Sequence, residues 1–133
     1  MRVTSAVLGA GDPRALATFY ERFLGWTLLA SEPARPGFPE EDGWAMLRPP
    51  PGTTGLLALS FQYEPDYVPP VWPPVAGEQA MMLHLDIEVE DLDAAVAWAL
   101  EAGAALAGHQ PQERVRVIID PAGHPFCLFP ASA

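Results

Sequence analysis

Hydrophobic and polar positions change period once along residues 84–104. Leu83, Leu85, Ile87 and Val89 alternate with His84, Asp86, Glu88 and Glu90, the two-residue repeat of a strand with one buried face. Asp91 stands where a helix N-cap belongs, and its carboxylate suits the free amides of the next turn. Leu92, Ala95, Val96, Ala99 and Leu100 then recur at helical spacing and predict one apolar face. Gly103 follows as a stop, since glycine enters the left-handed region without a Cβ clash. The same order of strand, cap, helix and glycine occurs near the N-terminus. Residues 2–9 are an apolar strand ending in Gly9, Asp12 is the cap, and Pro13 takes the first helical position. Leu16, Phe19, Tyr20, Phe23 and Leu24 form the stripe, and Gly25 ends it. The two copies are nearly equal in length, so the chain reads as one duplicated module.

The remaining elements follow from the same patterns. Helix one is predicted over 13–24, a strand over 25–33 that fades at Pro33, and a loop over 34–43. Residues 44–48 are a short strand closed by the prolines at 49–51, Gly52 to Gly55 is a turn, and 56–63 is an apolar strand. Pro65, Pro69, Pro70, Pro73 and Pro74 make 64–79 an extended, stiff crossover. Within it Val71 and Trp72 are expected to cover an open edge of the core, with Trp72 as a pocket wall the alternative. The second module gives strand 81–89, helix 92–102, strand 104–109, a turn from His109 to Gln112, strand 113–119, a tight turn from Asp120 to Gly123, and strand 124–129. Each module is therefore β-α-β-β-β: module one over 1–63, module two over 80–133.

Composition narrows the function classes. A chain of 133 residues supports one well-buried core, and 50% hydrophobic with 18% charged residues is globular. A net charge of −10 argues against nucleic acid and against anionic membrane surfaces, and favours cationic ligands at long range. The single cysteine, Cys127, rules out an internal disulfide and a cysteine-rich zinc site. The N-terminal stretch lacks the apolar core of a signal peptide, and no apolar run is long enough for a bilayer, so a cytoplasmic location is expected. Apolar edges and the stiff crossover predict a homodimer. There is no nucleophile elbow, Walker loop or complete dinucleotide fingerprint.

Three stretches, GAGDPRALATFYERFLGW at 9–26, HLDIEVEDLDAAVAWALEAGA at 84–104 and DPAGHPFCLF at 120–129, together with the crossover at 61–74, resemble the vicinal oxygen chelate superfamily. That is the glyoxalase I, bleomycin-resistance and extradiol dioxygenase group, and the likeness is to its glyoxalase-like subgroup. The resemblance implies a single α+β domain over 1–133: two βαβββ modules forming one curved eight-stranded, mostly antiparallel sheet, with helices on the convex side and a ligand cup on the concave side. In metal-using members, donors stand on the first, fourth, fifth and eighth strands: His or Gln, Glu or His, His, and Glu. Carried over position by position, the fifth-strand donor matches His84, seven residues before Asp91. The first-strand position is Ser5, the fourth-strand position lies near Ser60 to Gln62, and the last falls on Cys127. One strong donor is too few for the family's divalent metal.

The expectation is therefore a protein that binds a small molecule in the cup with no cofactor. Its contacts are expected to come from Ser5, Trp44, Phe61, Gln62, Trp72, His84, Arg116 and Cys127. The alternatives are a metal-dependent lyase or dioxygenase, or a metal-free enzyme using His84 as acid or base. For the metal alternative, Asp86 shares the strand face of His84, with His109 or His124 as third donor. Cys127 is more often a small buried hydrophobe than a nucleophile, and Arg116 either clamps a carboxylate or pairs with an acid. Asp12, Asp91 and Asp120 are assigned structural work only.

Overall fold

Two aspartates open the two helices in the same way. In a computed structural model describing residues 1–53, 55 and 57–131, the Asp12 carboxylate accepts a hydrogen bond from the Ala15 amide at 3.1 Å and begins α1 (Pro13–Leu24). Asp91 accepts from the Ala94 amide at 3.0 Å and begins α2 (Leu92–Ala102). Gly25 ends α1 at φ 68°, a backbone that penalises every side chain larger than hydrogen. Both helices keep the bounds that the apolar spacing predicts.

In the first unit, Met1–Tyr67, four strands lie in the order β1-β4-β3-β2. They are β1 (Ser5–Ala10), β2 (Thr27–Glu32), β3 (Trp44–Arg48) and β4 (Ala58–Tyr63). β1 runs parallel to β4, and the other two pairs are antiparallel. The second unit, Val68–Ala133, repeats the plan in the order β5-β8-β7-β6, with β5 (Asp86–Val89) parallel to β8 (Pro125–Pro130). Its other strands are β6 (Ala105–Leu106) and β7 (Arg116–Ile119). The chain is thus α+β, built from two βαβββ modules. Among the described residues, its hydrogen-bonded ladders group eight strands as two mostly antiparallel sheets of four.

Several strands are shorter than the sequence pattern. β5 begins only at Asp86, because β8 offers ladder partners from that point on. Residues 81–85 therefore lie outside the sheet, and Met82 and Leu83 are 83% and 90% exposed. The alternation holds for Leu85, Ile87 and Val89 alone. β1 starts at Ser5 and β7 at Arg116, and β6 is two residues long. Thr54 of the 52–55 turn and Leu56 of the 56–63 strand fall outside the described residues.

The crossover belongs to the second unit from Val68 onward. The Val71 amide donates to the Gln79 carbonyl at 2.9 Å, and the Trp72 indole N–H donates to the His109 carbonyl at 3.0 Å. Trp72 also lies 5.8 Å from the His109 ring, centroid to centroid. Trp72 is thus a half-buried anchor on the second module.

Strand register decides which side chains face the core. Ala45 pairs with Phe61 and Leu47 with Leu59, and all four are buried. This row faces α1, where the Tyr20 ring stacks on Phe61 at 5.7 Å and Phe19 meets Tyr20 edge-on at 4.8 Å. Trp44, Met46, Ser60 and Gln62 take the opposite face, since strand side chains alternate. In the second sheet Leu128, Ile118 and Phe126 form the corresponding buried row, with the half-buried Ile87 beside them, and Asp86, Cys127 and Val117 share the other face.

Candidate functional site

On the helix-free face of the first sheet, one row crosses all four strands: Glu32 opposite Trp44, Trp44 opposite Gln62, and Gln62 beside Gly9. Gly9 leaves room for Glu64, whose Cγ would lie 2.7 Å from a Cβ at that position. Glu64 in turn accepts a hydrogen bond from the Gln62 amide at 3.0 Å. The Ser5 and Ser60 hydroxyls on the same face are hydrogen-bonded to each other at 2.7 Å. Three expected ligand contacts, Ser5, Trp44 and Gln62, thus share one surface with Ser60. Phe61 does not join them. It is fully buried on the α1 side and offers no surface to a ligand.

At the end of this face a depression of about 270 Å³ is lined by Glu32, Trp44, Gln62, Tyr63, Arg35 and Asp42, among others. Asp42 is 1% exposed, and its two carboxylate oxygens take the Arg35 guanidinium at 2.8 and 3.1 Å. The Arg35 amide adds a third bond at 2.8 Å. These hydrogen bonds hold the Asp42 carboxyl down at about 2, so the pair stays ionised and mutually neutralised. The Arg35 guanidinium also lies 3.8 Å above the Phe38 ring.

The second unit carries a different group. His84 Nε2 lies 3.1 Å from Asp86 Oδ1, and Cys127 sits directly opposite Asp86 in the β5–β8 ladder. One donor atom from each of the three lies within 4.8 Å of the others. Burial pushes the Cys127 thiol up from its usual value, and the Asp86 charge and hydrogen bond push it further. It is a neutral thiol at neutral pH, not an activated nucleophile. The third member beside His84 and Asp86 is therefore Cys127, in place of His109 or His124. His109 packs by Trp72, and His124 belongs to the turn closed by Asp120.

Arg116 departs from its expected place. It pairs with Leu128, whereas Val117 pairs with Cys127, so Arg116 and Cys127 lie on opposite faces of one sheet. Its guanidinium donates to the Glu113 and Val115 carbonyls at 2.9 and 3.0 Å. Arg116 thus braces the entry to β7. Glu32, Glu64 and the Arg35–Asp42 pair escaped sequence reasoning, because an edge-strand register, a close approach to Gly9 and an ion pair across the loop before β3 leave no local pattern.

The internal repeat relates the two groups. Val7 pairs with Ser60 as Asp86 pairs with Cys127, and Ser5 precedes Asp12 by the interval that separates His84 from Asp91. Ser5 and Ser60 therefore occupy in the first module the positions that His84 and Cys127 occupy in the second. Ser5, His84 and Cys127 are three positions at which the resemblance implies metal donors, and Ser60 lies in the Ser60 to Gln62 stretch where it implies the fourth. Here they carry two hydroxyls, an imidazole and a thiol.

Comparison with known proteins agrees with this fold. No curated protein matches the sequence. Among solved structures, a glyoxalase/bleomycin resistance/dioxygenase family enzyme from Burkholderia phytofirmans is 15% identical, with a TM-score of 0.66 over 97% of this chain and 98% of that one. An antibiotic-binding protein from a Streptomyces species is 23% identical, with a TM-score of 0.58 over 99% and 97%. Glyoxalase I of Leishmania major is 20% identical, with a TM-score of 0.62 over 98% and 86%. At these identities the likeness is one of fold. No helix among the described residues is long and apolar enough to cross a membrane. The family model for the glyoxalase-like domain matches residues 5–129, and the chain belongs to that family, within the vicinal oxygen chelate superfamily.

Proposed function

We propose that this chain is a small-molecule-binding member of the glyoxalase-like family that works without the family's divalent metal. The observation that carries the proposal is the Ser5–Ser60 hydroxyl pair, 2.7 Å apart, at two of the four donor positions. Neutral hydroxyls satisfy each other there, and neither supplies the charge that a carboxylate brings to a divalent ion. The two remaining positions hold an imidazole already paired with Asp86 and a thiol held protonated by its surroundings. Ions that demand octahedral oxygen-rich coordination do not match this set. The same groups suit hydrogen bonding to an organic ligand: hydroxyls that donate and accept, the Gln62 amide and the His84 ring. The fold shared with a Streptomyces antibiotic-binding protein supports a binding role.

A second reading has one observation in its favour. His84, Asp86 and Cys127 offer nitrogen, oxygen and sulfur donors within one unit, a mixture that a zinc-type ion accepts. That would serve a metal-dependent lyase or dioxygenase. Without an ion, Asp86 orients the His84 ring for acid–base work in a metal-free enzyme.

A thermal-shift panel of chelator-treated protein tests the proposal, using a bleomycin-type cationic glycopeptide and a set of aromatic metabolites. A ligand near a hundredfold its Kd stabilises by about 2.7 kcal/mol, which raises Tm by several degrees. The same rise is expected with and without chelator. A ligand response that appears only after adding Ni, Zn or Fe would favour the metal-dependent reading, and no response from the whole panel would count against binding.

A further inference from the structure

The depression on the first unit holds three polar groups without a hydrogen-bond or ion-pair partner among the described residues, of which the Tyr63 hydroxyl lies in the field of the Arg35 guanidinium. Among the described residues, no hydrogen bond or ion pair reaches the Glu32 carboxylate, the Trp44 indole N–H or the Tyr63 hydroxyl. All three line the same space of about 270 Å³. Its other charged groups cancel, because Arg35 is bound to Asp42 through both carboxylate oxygens. The Gln62 amide is held by Glu64. What remains is one uncompensated negative charge at Glu32 beside two aromatic side chains.

That combination is specific in its chemistry. An anion would meet the Glu32 carboxylate, and a plain hydrocarbon would strand it together with two unsatisfied donors. An organic cation satisfies the carboxylate by a charge-assisted hydrogen bond and gains from the negative faces of neighbouring aromatic rings. The volume sits at the small end of ligand pockets, which suits a compact head group in place of a whole large ligand. Resting on the small-molecule-binding reading above and naming its ligand class, we infer that this depression is a seat for an organic ammonium group, with Glu32 as counter-ion and Trp44 and Tyr63 as walls.

Isothermal titration of the full chain with benzylammonium, and with benzyl alcohol as its neutral counterpart, tests the inference. The titration belongs in about 0.15 M salt, where attraction to the chain's overall negative charge is largely screened. Benzylammonium is expected to bind at least tenfold more tightly than the alcohol. Glu32→Gln is expected to remove that preference, and Glu78→Gln, which changes net charge equally at an exposed crossover position, is expected to leave it intact. Trp44→Ala should weaken both probes. Equal affinity for the two probes, or an equal loss in the Glu32 and Glu78 variants, would overturn the ammonium seat while leaving small-molecule binding intact. Failure of both probes to bind would also overturn it, and the metal-independent reading would then rest on the thermal-shift panel alone.

Discussion

Phe61→Ala is expected to destabilise the protein by about 3–5 kcal/mol, the range for deleting a buried aromatic ring. Phe61 has no exposed surface, and the Tyr20 ring stacks on it at 5.7 Å. Removing it empties the space between α1 and the first sheet, where Leu16, Phe19, Leu47 and Leu59 are also buried. Backbone pairing with β1 on one side and β3 on the other fixes β4, so the cavity has little means to close. Trp44→Ala, one strand away but on the other face, should cost distinctly less. Urea unfolding followed by circular dichroism compares the two variants. A larger loss for Trp44→Ala than for Phe61→Ala would mean that the faces of this sheet are assigned the wrong way round.

Asp120→Ala is expected to cost about 2–3 kcal/mol, because it leaves two part-buried backbone donors without that acceptor. Asp120 is 3% exposed, and one of its oxygens accepts from the Ala122 and His124 amides, both at 2.9 Å. The turn is closed further by the Gly123 amide on the Asp120 carbonyl at 2.9 Å. It delivers the chain into β8 and so sets Cys127 opposite Asp86. Asp120→Asn keeps a side-chain oxygen in place and should recover most of the loss. If alanine and asparagine unfold at the same urea concentration, the turn does not depend on that acceptor.

Much of this architecture was legible before any coordinates. Asp12 with Gly25, and Asp91 with Gly103, are local signals, and a helix between two such signals needs nothing from the rest of the chain. Both helices accordingly have the bounds that the spacing implies. Strand ends are set by partners distant in sequence. Leu83 continues the alternation of Leu85 and Ile87, yet it is exposed because the ladder with β8 stops short of it.

The candidate site was legible in the same uneven way. His84, Ser5 and Cys127 were placed by short, local intervals from the caps and turns, and the structure sets His84 and Cys127 around Asp86 and Ser5 against Ser60. Placing Phe61 and Arg116 on the ligand face failed by a single step of strand parity, which reverses every side chain. Trp72 turned inward because its indole N–H finds the His109 carbonyl, a contact between residues far apart in sequence. Glu32 and the Arg35–Asp42 pair carried no sequence signal at all, because an acid on an edge strand and an ion pair across a loop are common surface features.

The metal stoichiometry of the purified protein bears most directly on whether the four donor positions hold an ion. Protein stripped with chelator, then titrated calorimetrically with Ni, Zn and Fe and assayed by elemental analysis, is expected to retain no stoichiometric metal. One equivalent of any of the three, held through gel filtration and lost in His84→Ala, would contradict that expectation.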